Sequence, residues 1–256
     1  MRRMFKRMTC FVLLCVCLVA SVPVTQAQQP QTLRLIIDAE VRRYFQNLAQ
    51  PLVKEADVNP ERLKIHLVDG DEVNAFVASA EDMYILSGLI DKAESPTELQ
   101  GVIAHELGHM HGRHLFRIRA NEDKFTLPAL LGTIAGVGAM AAGAGEAGQA
   151  LVAGSQAAGV SNLLRFTRSQ EQQADQIAIN LLNQSGYSAQ GLESFFDKLK
   201  TEELLYHKTP PSYLLTHPRP ANRQEFIRNA LAENTKKREH ELDMQQFKRI
   251  QAKVYA

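Results

Sequence analysis

Cysteine is scarce and confined to the start of the chain: of 256 residues only Cys10, Cys15 and Cys17 carry a thiol. The surrounding segment reads as a secretory signal peptide over residues 1–27. Arg2, Arg3, Lys6 and Arg7 precede an apolar run from Phe11 to Ala20, and "SVPVTQA" then offers a small-residue cleavage pattern ending at Ala27. With that leader removed, the rest, beginning at Gln28, has no disulfide and no thiolate ligand, so any metal must be held by nitrogen and oxygen. Long apolar runs are also missing. The stretch from Phe11 to Ala20 is shorter than the roughly 20 residues of a spanning helix, and the bulky residues before Cys15 and Cys17 do not suit lipid attachment. Charge of one sign is lacking too. The chain has 29 basic and 28 acidic residues, and loss of the four basic residues in the leader leaves 25 against 28. A mildly acidic balance of this kind gives no footprint for nucleic acid.

What remains reads as a mainly helical α+β domain over residues 28–235, followed by a charged helical tail at 236–256 with a solvated face. The spacing of apolar residues predicts a helix from Thr32 to about Ala56, bent or interrupted at Pro51. Three β-type runs follow, Leu63 to Val68, Val73 to Ala78 and Met83 to Leu86, separated by "DGDE" and "SAED", and they predict a small antiparallel sheet. After a short helix at Gly88 to Lys92, "SPTE" opens a longer one running to about Ile118, with Ser95 as cap, Pro96 in the first turn and Glu98 three residues on. The nineteen residues from Leu127 to Gly145 contain no charge and are rich in glycine and alanine. They have two readings, a mobile lid or a membrane-contacting element. Further helices are expected from Val160 to Gln184, Gln190 to Thr201 and Pro220 to Asn234.

The chemistry concentrates in "HELGHMHGRH", residues 105–114. A helix turns about 100° per residue, so His105 and His109 share a face and form a metal-binding pair suited to zinc. Glu106 lies beside them, where its carboxylate can take a proton from an attacking water. Gly108 and Gly112 leave room for another backbone. His111 and His114 point the opposite way on an unbroken helix and are read as histidines without chemistry. The pattern HExxHxxGxxH fails by one position, since residue 115 is Leu115. The third ligand must come from elsewhere. On the helix after Val160, Leu163, Ala174, Ile177, Ala178 and Leu181 form the apolar stripe, and Glu171 and Asp175 fall on that same side. A carboxylate facing a core needs a partner. Glu171 is therefore assigned as the third ligand, and Asp175 as the acceptor that orients a ligating histidine.

Four blocks in order, "NAF" at 74–76, "HELGH" at 105–109, "EQQAD" at 171–175 and "THPRPANR" at 216–223, resemble the HtpX and CAAX-prenyl-protease type of zinc metallopeptidase. Within it the chain is similar to the exported BepA-like and LoiP-like peptidases, although it lacks the tetratricopeptide repeats of the former. The resemblance implies one zinc ion per chain, a helical peptidase domain with the small sheet beside its active-site helix, and a periplasmic, peripherally membrane-associated place in protein quality control. It implies polypeptide substrates, among them misfolded outer-membrane proteins, and contact with envelope assembly machinery. It also implies three residue roles. Asn74 lies on the strand where substrate backbone adds, and His217 and Arg223 lie near the metal as stabilisers of the oxyanion. For His217 a second role, ligation in a latent state, stays open. Two other functions also stay open: a non-catalytic envelope chaperone with a latent site, and an integral membrane peptidase.

Overall fold

The computed structural model describes residues 34–121, 123, 126, 131–132, 135–136, 140, 145–206, 212–217, 221–233 and 240–255. The leader and most of the uncharged stretch at 127–145, with its two readings, lie outside the described residues. Helix α1 (Ala39–Glu55) begins where Asp38 accepts hydrogen bonds from the Glu40 and Val41 amides, and it runs through Pro51. It therefore starts later than the apolar spacing suggested. Residues 34–36 are extended instead and bond to the sheet edge, Ile36 N donating to Leu67 O and Asp69 N to Arg34 O. An aspartate at the start of a helix satisfies amides that the helix cannot, which fixes the boundary there.

Strands β1 (Lys64–Val68), β2 (Ala75–Val77) and β3 (Asp82–Leu86) form a sheet in the order β1-β3-β2. Only β2 and β3 are antiparallel. β1 and β3 are parallel, with Lys64 opposite Asp82, so the sheet is mixed and the expectation of an antiparallel one is corrected. The reason is strand order. "DGDE" does not close a hairpin but carries the chain past the position that β3 fills. Its Gly70 is tied to the far end of β3, its N–H bonding to Ser87 Oγ and its carbonyl accepting from Ser87 Oγ and Gly88 N.

Helix α2 (Ser87–Lys92) leads to the central helix α3 (Pro96–His111), which is buried from Glu98 to Met110. Ser95 Oγ caps it by accepting from Glu98 N. Helix α3 does not continue to Ile118. Gly112 ends it, Arg113 takes the left-handed conformation with φ 50°, and α4 (His114–Ala120) starts in a new direction. Against α3 pack α5 (Gly145–Gln184) and α6 (Gln190–Tyr206). A Cβ on Gly108 would stand 2.6 Å from Ala174 O of α5, so glycine permits the close approach that brings two site-bearing helices together. Helices α7 (Ser212–Thr216) and α8 (Ala221–Glu233) follow.

The last helix, α9 (Met244–Val254), is more than a solvated tail. Phe247 and Ile250 are fully buried, Gln251 donates to the last carbonyls of α2, and Lys253 pairs with Asp38 and Glu40 at the start of α1. Charged residues dominate this segment by number, but two apolar side chains one turn apart decide which face is inside. No helix among the described residues is long and apolar enough to cross a membrane.

Candidate metal centre

Helix α3 presents His105 and His109 one turn apart, with Nε2 atoms 3.0 Å from each other. Helix α5 brings Glu171 to them from the opposite side: Oε2 lies 3.4 Å from His105 Nε2 and Oε1 3.4 Å from His109 Nε2. His217, directly after α7, adds Nδ1 at 3.4 Å from both His105 Nε2 and Glu171 Oε2. One donor atom from each of these four buried residues lies within 4.8 Å of all the others. Ligands at about 2.0–2.1 Å from a tetrahedral ion stand about 3.3–3.4 Å apart, so the spacing fits a single small divalent ion. The polar accounting agrees. Both Glu106 oxygens are fully buried and lack any hydrogen-bond partner, as does Glu171 Oε2, which Arg223 Nη1 approaches to 2.9 Å without alignment. Buried carboxylate oxygens left in this condition call for a cation.

Asp175, one turn beyond Glu171 on α5, places Oδ1 3.0 Å from His105 Nδ1. The carboxylate stands close enough to favour a proton on Nδ1, which leaves Nε2 toward the other donors, although the two groups are not aligned as a hydrogen bond. Arg223 of α8 forks onto Asp175, Nε to Oδ2 at 2.6 Å and Nη2 to Oδ1 at 2.7 Å, and turns Nη1 to Glu171. It is buried with Nε and Nη2 bonded to Asp175 and Nη1 bonded to the His217 carbonyl at 3.5 Å beside Glu171, so the geometry makes it a positioning residue for Asp175 and the His217 segment, with its charge set against Glu171. His217 is the one of the late pair that faces Glu106, with Nε2 3.4 Å from Oε1 and 3.2 Å from the Ala75 carbonyl.

The charges are strongly coupled. Burial pushes the Glu106 carboxyl up, against the opposing pull of His217 and His105. Burial opposes a charge on His105, yet the Asp175 and Glu171 carboxylates push it up to about 9. His109 is held well below the usual imidazole range by burial and then by the charge on His105. Glu171 sits well below the usual carboxylate range because contacts from His105 and His217 outweigh its burial. Without metal, a proton on His105 supplies positive charge to the cluster, and a cation bound there would displace it.

The expectation for one histidine changes. His114 does not face away: it is buried, and its Nδ1 lies 3.0 Å from His109 Nδ1. The break at Gly112 and Arg113 swings it back over its own helix, and Gly112 has no side chain to collide with it, since a Cβ there would stand 2.3 Å from His114 Nε2. Gly112 thus accommodates a ring rather than a second backbone. The tautomers follow in sequence. With Nε2 turned to the cluster and available to a metal, His109 would donate Nδ1–H to His114 Nδ1, and His114 would donate Nε2–H to Gln173 Oε1 at 3.3 Å, which Arg117 Nη1 also reaches at 2.9 Å. Burial pushes the His114 imidazole down to about 4, which keeps it neutral for this role. His111 remains outside the cluster, with Nδ1 2.7 Å from Ala56 O.

Asn74 stands directly before β2 and is buried. Its carbonyl accepts from Leu86 N and its side-chain oxygen from Thr216 Oγ1, so it joins the sheet to the segment that carries His217. Tyr213, which no spacing argument singled out, does the same. Its N–H bonds to Val73 O, and its ring stacks on His217 with centroids 4.5 Å apart. The only signal for it in the sequence was an aromatic one turn before a candidate histidine.

The model of peptidase family M48 matches residues 38–231, a span that includes every residue of the cluster. The chain belongs to peptidase family M48. It is 31% identical over 195 residues to the β-barrel assembly-enhancing protease of Escherichia coli K12, a match covering 76% of this chain and 40% of that protein. It is 29% identical over 199 residues to metalloprotease LoiP of the same bacterium, covering 76% of this chain and 72% of LoiP, and 28% identical over 188 residues to metalloprotease YcaL. The chain thus spans well under two thirds of the β-barrel assembly-enhancing proteases it matches. With family and cluster together, this is an M48 metallopeptidase with a buried His-His-Glu-His metal site.

Proposed function

We propose that this chain is a zinc-dependent endopeptidase of the bacterial cell envelope, acting in the periplasm on misfolded or stalled polypeptides, outer-membrane proteins among them. Three imidazoles and a carboxylate suit zinc, and the names of the relatives and the leader-like first 27 residues support the compartment and the substrates. The observation that carries the catalytic reading is Glu106, a fully buried carboxylate without a hydrogen-bond partner, beside four converging metal donors. His105, His109 and Glu171 hold the metal. When bound, it supplies a Lewis acid that polarises the peptide carbonyl and acidifies a water molecule. Glu106, whose raised affinity for protons suits the task, takes the proton at a carboxylate oxygen and passes it to the departing amine.

His217 is in reach of two duties. With Nε2 toward Glu106 it stabilises charge on the substrate oxygen. With Nδ1 among the donors it completes a closed, latent coordination set, and its 3.4 Å approach to Glu171 and His105 favours that second state. The test of the proposal is casein cleavage by zinc-loaded protein. Glu106→Gln is expected to lose about 10²–10⁴-fold in rate while retaining metal. Equal activity in wild type and variant overturns the catalytic reading, and rescue of an envelope defect by Glu106→Gln supports a chaperone instead.

A further inference from the structure

A cleft of about 660 Å³ opens beside His109, between the end of β2 and the junction of α3 and α4. Its apolar lining includes Val58, Val77, Met110, Leu115 and Phe116, of which Met110 is buried, Val58, Val77 and Leu115 are half-buried and Phe116 is 70% exposed. An aromatic ring left bare at the rim of a cleft, within reach of a catalytic centre, lacks an occupant that would cover it. Charge sharpens the requirement. Arg62 is paired with Glu81 within the cleft wall. Arg113 and Arg119 also line the cleft and have no carboxylate partner among the described residues, and Asp57 is the one remaining acid there. Arg113 is fixed at this position by the left-handed turn that ends α3.

The backbone supplies the third part. β2 is an edge strand. Leu86 N donates to Asn74 O, and Ala78 N to Asp82 O, so residues 74, 76 and 78 direct their polar backbone groups to β3. By alternation Ala75 and Val77 turn theirs to the outer edge. On that edge Tyr213 N takes the Val73 carbonyl and His217 the Ala75 carbonyl, and beyond them Val77 lines the cleft.

We infer that this cleft is a substrate-specificity site: of a polypeptide extended along β2, as the family resemblance implies, a bulky apolar side chain enters the cleft against Phe116 and Met110, and a carboxylate two residues along, on the same face of the extended chain, meets Arg113 and Arg119. The inference rests on the peptidase reading of the metal centre and adds to it the class of sequence selected. Backbone pairing gives general affinity for extended chains, while the alternate side chain entering the cleft gives selectivity. Bulk is what an apolar cleft discriminates, by about 10–200-fold for small changes in side-chain size.

Two measurements test it. The zinc-loaded full chain is incubated with a randomised peptide mixture and cleavage sites are read by mass spectrometry, for wild type, Phe116→Ser and the double variant Arg113→Glu/Arg119→Glu, with Glu106→Gln as the control for chemistry. The expected result is a bulky apolar residue two positions from Asp or Glu, the pair at one fixed distance from the cut. Phe116→Ser should lose the apolar preference by about tenfold, and the double variant should exchange the acidic preference for Lys or Arg. Cleavage that depends on Glu106 but shows no such preference, or a preference that neither variant moves, overturns the inference and leaves the peptidase reading intact. The second measurement needs no chemistry: fluorescent extended octapeptides containing Phe-Ala-Glu or Ser-Ala-Lys are titrated onto Glu106→Gln protein. Tighter binding of the Phe-Ala-Glu peptide, reduced by Phe116→Ser, supports the cleft even where no cleavage is seen, and equal binding of the two rejects it.

Discussion

Replacing Arg223 by methionine removes the guanidinium and keeps most of its volume. It leaves Asp175, fully buried and 3.0 Å from His105, without the fork of 2.6 and 2.7 Å bonds that satisfied it. Breaking one side of a buried ion pair costs about 3–5 kcal/mol, a large part of the roughly 5–15 kcal/mol by which a domain is stable. With a urea dependence of about 2 kcal/mol per molar, the unfolding midpoint of the metal-free protein should fall by about 1.5–2.5 M. The measurement is urea denaturation in excess chelator, so that metal binding does not contribute. Arg223→Met/Asp175→Asn removes the stranded charge and keeps an acceptor for His105 Nδ1, and it should regain at least half of the loss. A single variant whose midpoint lies within about 0.5 M of wild type, or a double variant no better than the single one, would refute the reasoning that Arg223 compensates a charge buried for the sake of the metal ligand.

Other perturbations read other parts of the structure. His114→Ala removes the acceptor of the His109 Nδ1 proton and should weaken metal binding by about 10–100-fold, measured by chelator competition; unchanged affinity would return His114 to a packing role. Gly108→Val drives a side chain into Ala174 O of α5, and at about 1–3 kcal/mol of overpacking it should lower both the unfolding midpoint and the metal content. The α9 ion pairs should confer pH dependence. Hydrogen bonds from the Val41 amide and from Lys253 hold Asp38 below its ordinary value, and Lys253 does the same for Glu40. Carboxyls depressed by folding stabilise above the ordinary carboxylate range, and that contribution is lost as pH falls through their lowered values. Lys253→Ala should therefore be less stable than wild type at neutral pH, with the difference vanishing in acid; a difference constant with pH would contradict this account.

How far the sequence disclosed the site depended on how local the geometry was. His105, Glu106 and His109 occupy one continuous helix, so a periodicity of 3.6 was enough to set them on one face. Glu171 and Asp175 were legible because a carboxylate on an apolar stripe is costly without a partner, and that partner proved to be the histidine pair and Arg223. His114 was misread because the arithmetic assumed an unbroken helix, whereas the chain turns through left-handed backbone at Arg113, a conformation that arginine does not advertise. The sheet was misread for a related reason: turn residues mark where strands end, but not that β3 returns between β1 and β2. His217 and Arg223 lie more than 40 residues beyond Glu171, and only the resemblance to a family pointed to them. Their place depends on long-range contacts, Tyr213 N to Val73 O and Arg223 to Asp175, that no spacing encodes. In α9 the charged residues concealed Phe247 and Ile250, which bind the end of the chain to the start of the domain.

The central claim is that His105, His109 and Glu171 hold one zinc ion. Zinc-edge X-ray absorption on the zinc-loaded protein tests it most directly, with Glu171→Gln beside it. The account predicts one zinc per chain in a shell of nitrogen and oxygen at about 2.0–2.1 Å, outer scattering from two or three imidazole rings, and weakened binding in the variant. A shell without imidazole scattering, or the same shell and affinity in Glu171→Gln, would contradict it.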